Sequence, residues 1–543
     1  MDTKEFLLKQ GNQLFTKRIG LLNQWQDIAE NFYPERADFT VVRNVGDELA
    51  RGLATGYPVL CRRDLGNQLG GMLRPTNKTW AHARITPWDS VSTEARAWLE
   101  KAEIRMFQAM YHSTTQFNRA LSQADHDYAA FGQAVIQLTL NSKANGLLYR
   151  CWHLRDVAWM ENTDGAIGCV YRKWKPTVLD LSRMFKNVHP KVKEKLEKDP
   201  YSEVDVWHCM VPSDSYLSQE GKNYRAPFVS VYLDVTNQHI MEEVGAKRLG
   251  YMIPRWQTVS GSQYAYSPAV VVALADARTL QEMTITLLEA GEKFVSPPML
   301  AVQGALRGDI NVMAAGVTWV DREYDERLGE VLRPLTQDKS GMPIGHEMAS
   351  DIREQIMNAF YLNKLGLPPS DHEMTAYETA QRVQEYIRHA LPLFEPTEME
   401  YNAPVCDNTF EMLFENGVFG SPYEVPEELR GTEVKFEFES PLHDAIEQQK
   451  GQKFMEAAGL MANAAAADPG VRHIINMQKA TRDAILGIGT PATWLKSEGE
   501  VADLVAQDAQ NAQSAALLTQ MQQGAMVAKT LSDITPPTGG APA

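Results

Sequence analysis

The chain has 543 residues, of which 44% are hydrophobic, and a formal net charge of −16 from 53 basic and 69 acidic residues. This length exceeds what one core supports, and the hydrophobic fraction is too high for a disordered chain, so we expect two to four packed units. The negative charge argues against a protein that grips nucleic acid tightly by neutralising its phosphates.

Cysteine use and the lack of long apolar runs bear on the compartment. Five cysteines are scattered without CxxC spacing: Cys61, Cys151, Cys169, Cys209 and Cys406. Their number and spacing argue against a disulfide framework or a thiolate zinc site, so we expect reduced, buried thiols made in a cytosol. No secretion signal, no window of 18 uncharged apolar residues and no repeat of 20 to 50 residues is visible, so we expect no membrane span.

Helical periodicity opens the chain and gives way to strands at Gly132. Residues 4–32 carry one apolar stripe, which predicts a single long amphipathic helix that Pro34 stops. Two more helices are predicted at 92–111 and 115–131. Strands with a period of two are then predicted near 134–140, 147–153, 166–174, 203–210, 227–234 and 239–244. The middle of the chain is therefore predicted to be a largely antiparallel α+β domain.

The helical period returns in the second half. We predict a helical rod over 267–294, with Ser267 as N-cap and Pro268 in the first turn, and a second rod over 344–362. The rods flank a small insert, 295–343. Gly366 and the prolines at 368 and 369 then predict a loop over 363–375, which two overlapping capping boxes follow. Beyond short strands near 433–439, residues 441–531 are helical by composition, and the Pro- and Gly-rich tail is predicted to be disordered.

Sequence motifs of an enzyme are missing. The phosphate loop GxxxxGK[ST], the dinucleotide fingerprint GxGxxG and the nucleophile elbow GxSxG do not occur. His346-Glu347 and His372-Glu373 each resemble half of a zincin helix, but the second histidine is replaced by Ser350 and Ala376. We therefore expect no catalytic residue, no metal and no cofactor.

The remaining polar clusters are better explained by structure than by chemistry. Cys151 with His153, and His208 with Cys209, lie in predicted strands and are interpreted as core thiols beside hydrogen-bonded histidines. Basic residues are not in excess around the five tryptophans of the middle domain, so packing is a better interpretation than base stacking: Trp152, Trp159, Trp174, Trp207 and Trp256. The run Asp321, Arg322, Glu323, Asp325, Glu326 and Arg327 mixes both signs, which favours an ion-pair surface over a metal cage.

Several stretches, taken in order, resemble the head-to-tail connector, or portal, proteins of short-tailed, T7-like bacteriophages. They include WQDIAENFYPE, DLGNQLGGMLRPTNKTW, DYAAFGQAVIQL, GCVYRKWKPTVLDLSRMF, YSPAVVVALADARTLQEM, MTAYETAQRVQE and FESPLHDA. The resemblance covers most of residues 10–450. Each piece alone is weak, whereas their order and spacing are specific.

The resemblance implies a portal-type α+β subunit that assembles into a ring, commonly of twelve copies. The wing would span 1–266, the two stem helices 267–294 and 344–362, the clip 295–343 and the channel loop 363–375. A wing-to-crown connection would occupy 376–440, a helical crown 441–535 and a disordered tail 536–543. Such a ring sits at one capsid vertex of the virion, is assembled in the host cytoplasm, and passes double-stranded DNA during packaging and ejection.

The resemblance also supplies candidate site residues and partners. The channel loop would contain Asn363, Lys364, Leu365, Gly366, Leu367, Pro368, Pro369, Ser370, Asp371 and His372. The clip interface would contain Arg322 and Arg327 facing acids such as Asp321, Glu323, Asp325 and Glu326. The partners would be identical subunits, transiting DNA bound weakly, the terminase motor, tail or adaptor proteins, and major capsid and scaffolding proteins.

The charge of the two rods fits a channel through which DNA must slide. They carry seven acidic residues against three basic ones, so phosphates would not be neutralised one by one. Two alternatives stay open at this point: a DNA-packaging enzyme such as an ATPase or nuclease, and an internal scaffold or ejection protein. The missing phosphate loop counts against the first, and the strand-rich middle against the second.

Overall fold

The computed structural model describes residues 3–75, 79–85, 92–216, 224–301, 332–334, 341–363, 396–438, 454–461, 480–481, 501, 504 and 507. The chain divides into two units, one formed by Met1–Ser90 with Ala97–Leu442 and the other by Val91–Arg96 with His443–Ala543. In the second unit, residues 454–461 are helical. The other elements described below belong to the first unit, apart from the opening turn of the fourth helix.

Two helices, α1 (Thr3–Lys17) and α2 (Ile19–Phe32), open the chain where one was predicted. The prediction was wrong at Arg18, whose backbone leaves the helical region at φ −100° and ψ 9°. Its buried guanidinium donates hydrogen bonds to the carbonyls of Leu154 (2.6 Å), Val157 (2.7 Å) and Arg155. These carbonyls belong to the 3-10 turn Leu154–Asp156 and to Val157, the first residue of β4. The helix is therefore interrupted where Arg18 supplies donors to carbonyls far along the chain.

Three further helices and one strand complete the N-terminal part: α3 (Tyr57–Leu73), β1 (Ala81–Arg84), α4 (Thr93–Met110) and α5 (Phe117–Phe131). Helix α3 crosses α5 closely because two glycines leave room. A Cβ at Gly66 would lie 2.2 Å from His126 Nδ1, and one at Gly70 would lie 2.9 Å from Asp125 Oδ2. The helices predicted over 92–111 and 115–131 are confirmed as α4 and α5.

The middle of the chain forms two antiparallel sheets. The first has the order β3-β2-β9, from β2 (Val135–Leu140), β3 (Leu147–Trp152) and β9 (Tyr251–Met252). The second has the order β4-β5-β6-β7-β8, from β4 (Val157–Glu161), β5 (Ile167–Trp174), β6 (Val206–Pro212), β7 (Phe228–Asp234) and β8 (His239–Ala246). The predicted strands are thereby confirmed, and mixed helix and sheet confirms the α+β class.

The five-stranded sheet is covered on both faces. Tyr171, Cys209 and Val231 are paired across β5, β6 and β7 and point to a core under α1 that also contains Leu7 and Leu14. The opposite face is covered by two short helices, α6 (Val178–Met184) and α7 (Pro190–Lys198), through a core of aliphatic side chains and Phe185. The sheet therefore needs no further partner to bury its apolar surface.

A helical hairpin follows the sheets. A π-helical turn, Ala269–Ala273, leads into α8 (Leu274–Val295), and α9 (Gly341–Ala359) returns along it. The predicted N-cap serine has another contact: Ser267 Oγ donates to the carbonyl of Ala130 at 2.6 Å. Short strands β10 (Met299–Ala301) and β11 (Leu332–Pro334) pair antiparallel after α8 and before α9.

The last elements of the first unit return to its beginning. A π-helical turn, Glu398–Asn402, leads into α10 (Ala403–Glu415), and β12 (Lys435–Phe438) follows. Strand β12 pairs antiparallel with β1, with Phe438 opposite Ala81 and Lys435 opposite Arg84. The unit is thereby closed by a contact between residues more than 350 positions apart.

Candidate functional site

The hairpin of α8 and α9 is the most distinctive feature of the first unit. The two helices approach closely at Gly345, where a Cβ would lie 2.8 Å from Leu287 Cδ2. Strand β10 follows α8 and pairs antiparallel with β11, which precedes α9, so the chain reverses direction between the two helices. A small residue at the crossing therefore fixes the hairpin as one rod-like element.

The base of the hairpin is buried in the unit. Ala277 and Leu280 of α8 and Ala349 and Ile356 of α9 have no exposed surface. Beyond α9, the ring of Phe360 packs against Phe32 of α2 with centroids 5.3 Å apart. Arg278 also pairs with Asp27 of α2 at 2.9 Å. The base is therefore held by both apolar contact and charge.

A buried glutamine clamps a loop onto the hairpin. The Oε1 atom of Gln281 accepts hydrogen bonds from the backbone N–H groups of Ala54 (2.7 Å) and Thr55 (2.8 Å), and its Nε2 donates to the carbonyl of Thr55 (2.9 Å). One side chain thus satisfies three backbone groups at the end of the loop before α3. This contact ties the N-terminal helices to α8.

The distal half of the hairpin exposes apolar side chains. Leu288 and Ile344 are each 59% exposed, and Ile285 and Met348 are also exposed. Two grooves flank the helix pair: one of about 460 Å³ contains Met283 and Phe294, and one of about 720 Å³ contains Leu288 and Val295. Exposed apolar side chains of this kind are typical of surfaces that pack against another protein surface.

Acidic side chains dominate the same rods. The carboxylates are those of Asp276, Glu282, Glu289, Glu292, Glu347, Asp351 and Glu354. The cations are Arg278, Lys293 and Arg353, which leaves a net charge of −4. All seven acids except Asp276, which is half-buried, are exposed. The rods therefore present a negative surface to any polyanion near them.

Helix α9 ends in a left-handed residue. Tyr361 has φ +58°, the Leu362 N–H bonds to the carbonyl of Met357 (3.1 Å), and the Tyr361 N–H bonds to that of Asn358 (3.0 Å). This is a Schellman motif with tyrosine where glycine is usual. The ring of Tyr361 stacks on Trp256 at 6.3 Å with planes 8° apart, which holds the strained backbone in place.

A buried ionic cluster joins the N-terminal helices to the segment before α10. Arg74 pairs with Asp125 and donates to Asn402 Oδ1 at 2.9 Å, and the hydroxyl of Tyr401 donates to Asp125 Oδ1 at 2.8 Å. All four side chains are buried. Burial alone would lower the pKa of Arg74, but the neighbouring Asp125 carboxylate raises it, so the arginine stays charged.

The thiol and imidazole pairs of the sequence are packing residues. Cys151 donates to Asp127 Oδ2 at 3.6 Å, while His153 bonds to Asp38 at 2.7 Å. Burial lowers the pKa of His208, whose ring nitrogens contact Tyr251 OH (2.6 Å) and Ser230 Oγ (2.9 Å). This confirms the interpretation as core thiols beside hydrogen-bonded histidines. Trp159 and Trp207 are buried, as packing predicts. Trp152, Trp174 and Trp256 are half-buried, and the Arg172 guanidinium lies over the rings of Trp152 (3.9 Å) and Trp174 (5.4 Å).

The carboxyl group of Asp407, outside these clusters, has a raised pKa. Partial burial, together with the charges of Glu411 and Glu433, raises the pKa of Asp407 to about 7. Across the described ranges, no group of three or more His, Cys, Asp or Glu residues is placed to hold a metal ion. None of the helices that the structure describes is both long and apolar enough to cross a membrane.

Most of the predicted site residues lie outside the described part of the chain. Of the predicted channel loop, Asn363 is described, and it is exposed in the turn after α9. Residues 364–372 and the predicted clip residues 321–327 are not among the described residues. The Gln281 clamp and the Arg74 cluster were missed, since a single glutamine or arginine gives no periodic signal.

Comparison with known families identifies the class of protein. The family described as Bacteriophage head to tail connecting protein matches residues 5–495, and the chain belongs to this family. The resemblance found in the sequence is thereby confirmed, as is its assignment to a structural component of bacteriophages.

Individual relatives carry the portal name. The chain is 24% identical to the "Probable portal protein" of Bordetella phage BPP-1 over 453 residues, which cover 81% of this chain and 80% of the relative. It is 21% identical to the "Portal protein" of Salmonella phage epsilon15 over 542 residues, covering 98% and 95%. A solved structure, "Virion of native gene transfer agent (GTA) particle", aligns at 10% identity and TM-score 0.35, covering 81% of this chain and 91% of that one.

Proposed function

We propose that the protein is a portal subunit that forms a closed ring of about twelve copies at one capsid vertex of the virion, assembled in the host cytoplasm. The observation that carries this proposal is the hairpin, whose base is buried and whose distal half exposes apolar grooves on both sides. A subunit in a ring has two neighbours, and an element with an exposed apolar groove on each of two sides suits both of them.

The ring provides the channel for double-stranded DNA. The wing is 1–266, the stem is 267–294 with 344–362, and the clip is 295–343. The net charge of −4 on the two rods of each copy supports this assignment, because an acidic wall lets DNA pass without fixing its phosphates. The role is structural rather than enzymatic.

The remaining segments act at the two ends of the channel. The clip docks the terminase motor and then the tail or adaptor proteins, with Arg322 and Arg327 facing acids of the neighbouring copy. The channel loop, 363–375, lies between the stem and the connection 376–440, and the helical crown, 441–535, lies inside the capsid. Major capsid and scaffolding proteins contact the wing.

Native mass spectrometry with negative-stain imaging tests the assembly. The expected result is a closed ring with a central hole and a mass near twelve copies at micromolar concentration, forming more readily as salt screens the net charge of −16 per copy. A stable monomer or dimer across buffers would overturn the ring.

Deletion of Pro368 to His372 tests the channel loop. Ring formation is expected to persist while packaging or retention of DNA declines, because a loop can lose residues without unfolding the helices beside it. Particles that carry the deletion and still hold a genome of normal length would refute this role.

A further inference from the structure

Helices α6 and α7 carry a concentrated positive charge on an acidic protein. Six cations lie between residues 183 and 198, against Glu194 and Glu197, and all six are exposed. We call them the cationic patch: Arg183, Lys186, Lys191, Lys193, Lys195 and Lys198. In the part of the chain that the structure describes, none of them forms an ion pair.

An acidic surface of matching size lies on α10 and the turns that follow it. We call it the acidic patch: Glu411, Glu415, Glu424, Glu427, Glu428 and Glu433. All six carboxylates are exposed, and Arg430 is the one basic residue between 407 and 433. Glu411 and Glu415 pair with Arg248, and Glu415 also pairs with Lys247, so Glu424, Glu427 and Glu433 carry most of the uncompensated charge. The pKa of Asp407 beside them is raised by burial first and then by the negative charges of Glu411 and Glu433.

The two patches lie at opposite ends of β8. At its start, His239 bonds to the carbonyl of Asn187 at 3.1 Å, between α6 and α7. Just beyond its end, Arg248 pairs with Glu411 and Glu415. Eight residues of strand separate the ends by about 23 Å, well beyond the Debye length of about 8 Å, so the patches do not neutralise each other within one copy.

We infer that the cationic patch of one copy docks on the acidic patch of the next copy. A contact between two different surfaces of the same chain is heterologous, which is the type of contact that closes a ring. The inference rests on the proposed ring and names one of its interfaces. It also accounts for six cations that form no ion pair with the described residues, at one end of a sheet that is otherwise covered.

Exposed apolar side chains favour a protein partner over DNA. Met184 (57% exposed) and Tyr201 lie beside the cationic patch, and Tyr423 (89% exposed) and Phe414 lie within the acidic segment. Such side chains gain free energy when they pack against another protein surface, whereas phosphates offer them nothing. A DNA-binding role for the cationic patch is therefore the alternative that the experiment must separate.

Charge reversal in the full chain tests the inference. Lys191, Lys195 and Lys198 share one face of α7 at i, i+4 and i+7, so K191E/K195E/K198E places three acids opposite the acidic patch. We expect the concentration at half-assembly, measured by sedimentation velocity at 0.15 M salt, to rise at least tenfold. The partner variant E424K/E427K/E433K is expected to weaken assembly similarly, because two cationic surfaces then meet.

Two further chains make the result specific. The combined variant with all six substitutions reverses three charges in each patch, which restores opposite charges at the contact, and should assemble within threefold of the wild type. The control K9E/K101E/K143E makes the same change in net charge at exposed lysines outside both patches and should also stay within threefold. Circular dichroism and the melting temperature establish that each variant is folded.

The outcomes separate this inference from the proposed ring. Weakened assembly in both reversals with recovery in the combined variant supports the docking. If the wild type forms rings and K191E/K195E/K198E assembles equally well, the docking is wrong and the ring stands. If that variant assembles normally but loses salt-dependent retention of a DNA duplex, the cationic patch is a DNA site and the docking is overturned. If the wild type forms no ring at all, the proposed function fails first.

Discussion

The five-stranded sheet buries its apolar surface within one copy, whereas the distal hairpin exposes its own. The sheet is covered by α1 on one face and by α6 and α7 on the other, whereas the hairpin leaves Leu288 and Ile344 mostly exposed. Burial within one copy stabilises the sheet independently of assembly. The hairpin gains comparable stabilisation only from a neighbour, so the same chain contains a region built for folding and a region built for association.

The largest expected effect comes from breaking the buried ionic cluster. Asp125→Ala leaves the Arg74 guanidinium buried without its carboxylate, which should lower the free energy of unfolding by about 3–5 kcal/mol. Urea denaturation of unassembled protein measures this. The control is Asp205→Ala, which removes an exposed ion pair with Lys175 and should change stability by less than about 0.5 kcal/mol. Equal losses of stability in the two variants would contradict the conclusion that Asp125 compensates the buried charge of Arg74.

The clamp at the base of the hairpin should have an intermediate effect. Gln281→Ala leaves the backbone N–H groups of Ala54 and Thr55 without their acceptor. This should lower the free energy of unfolding by about 1–3 kcal/mol. Hydrogen exchange should accelerate at these two amides and at α8, while the sheet stays protected. Gln281→Glu keeps an acceptor for the two N–H groups but places a carboxylate oxygen against the carbonyl of Thr55, so it should also be less stable than wild type. Unchanged exchange at residues 54 and 55 in Gln281→Ala would be evidence against the clamp.

A pH-dependent effect is expected at Asp407. Its folded pKa of about 7 lies above its ordinary value, so the folded state holds a proton that the unfolded state releases as pH rises. The contribution of this group to the free energy of unfolding therefore declines as the pH rises from about 4 to 7. Asp407→Asn should be more stable than wild type by about 1–2 kcal/mol at pH 8, because water reaches part of this carboxyl, and nearly equal at pH 4. Equal differences at both pH values would contradict the shift.

The smallest effect on stability should come from the distal hairpin. Leu288→Glu with Ile344→Glu changes exposed positions, so the unfolding free energy of the single copy should move by less than about 0.5 kcal/mol. Ring formation should nevertheless be lost, because two charges enter an apolar contact. Sedimentation measures ring formation and urea denaturation measures the stability of the single copy, both on one preparation. A variant that assembles normally would show that this surface has no neighbour.

Periodicity predicted the local elements and missed the long-range contacts that organise them. Strands β5 to β8 of the second sheet follow from alternation of apolar residues, and α4 and α5 from helical spacing, whereas β4 was missed. The break at Arg18 depends on carbonyls about 140 positions away, and Tyr401 reaches Asp125 across 276 positions. Such pairings leave no trace in a window of 18 residues. The family resemblance was readable because it depends on the order of many weak segments.

The tyrosine that ends α9 has a consequence for which substitutions this position tolerates. Glycine at 361 would relieve the backbone but remove the stack on Trp256, while phenylalanine or histidine would keep a ring and the strained φ. Alanine or valine would retain the strain with nothing to offset it. A saturation scan should therefore find two separate groups of accepted residues, flat rings and glycine, with the aliphatic side chains between them rejected. At this position the accepted residues are decided by backbone strain and ring stacking and not by side-chain size.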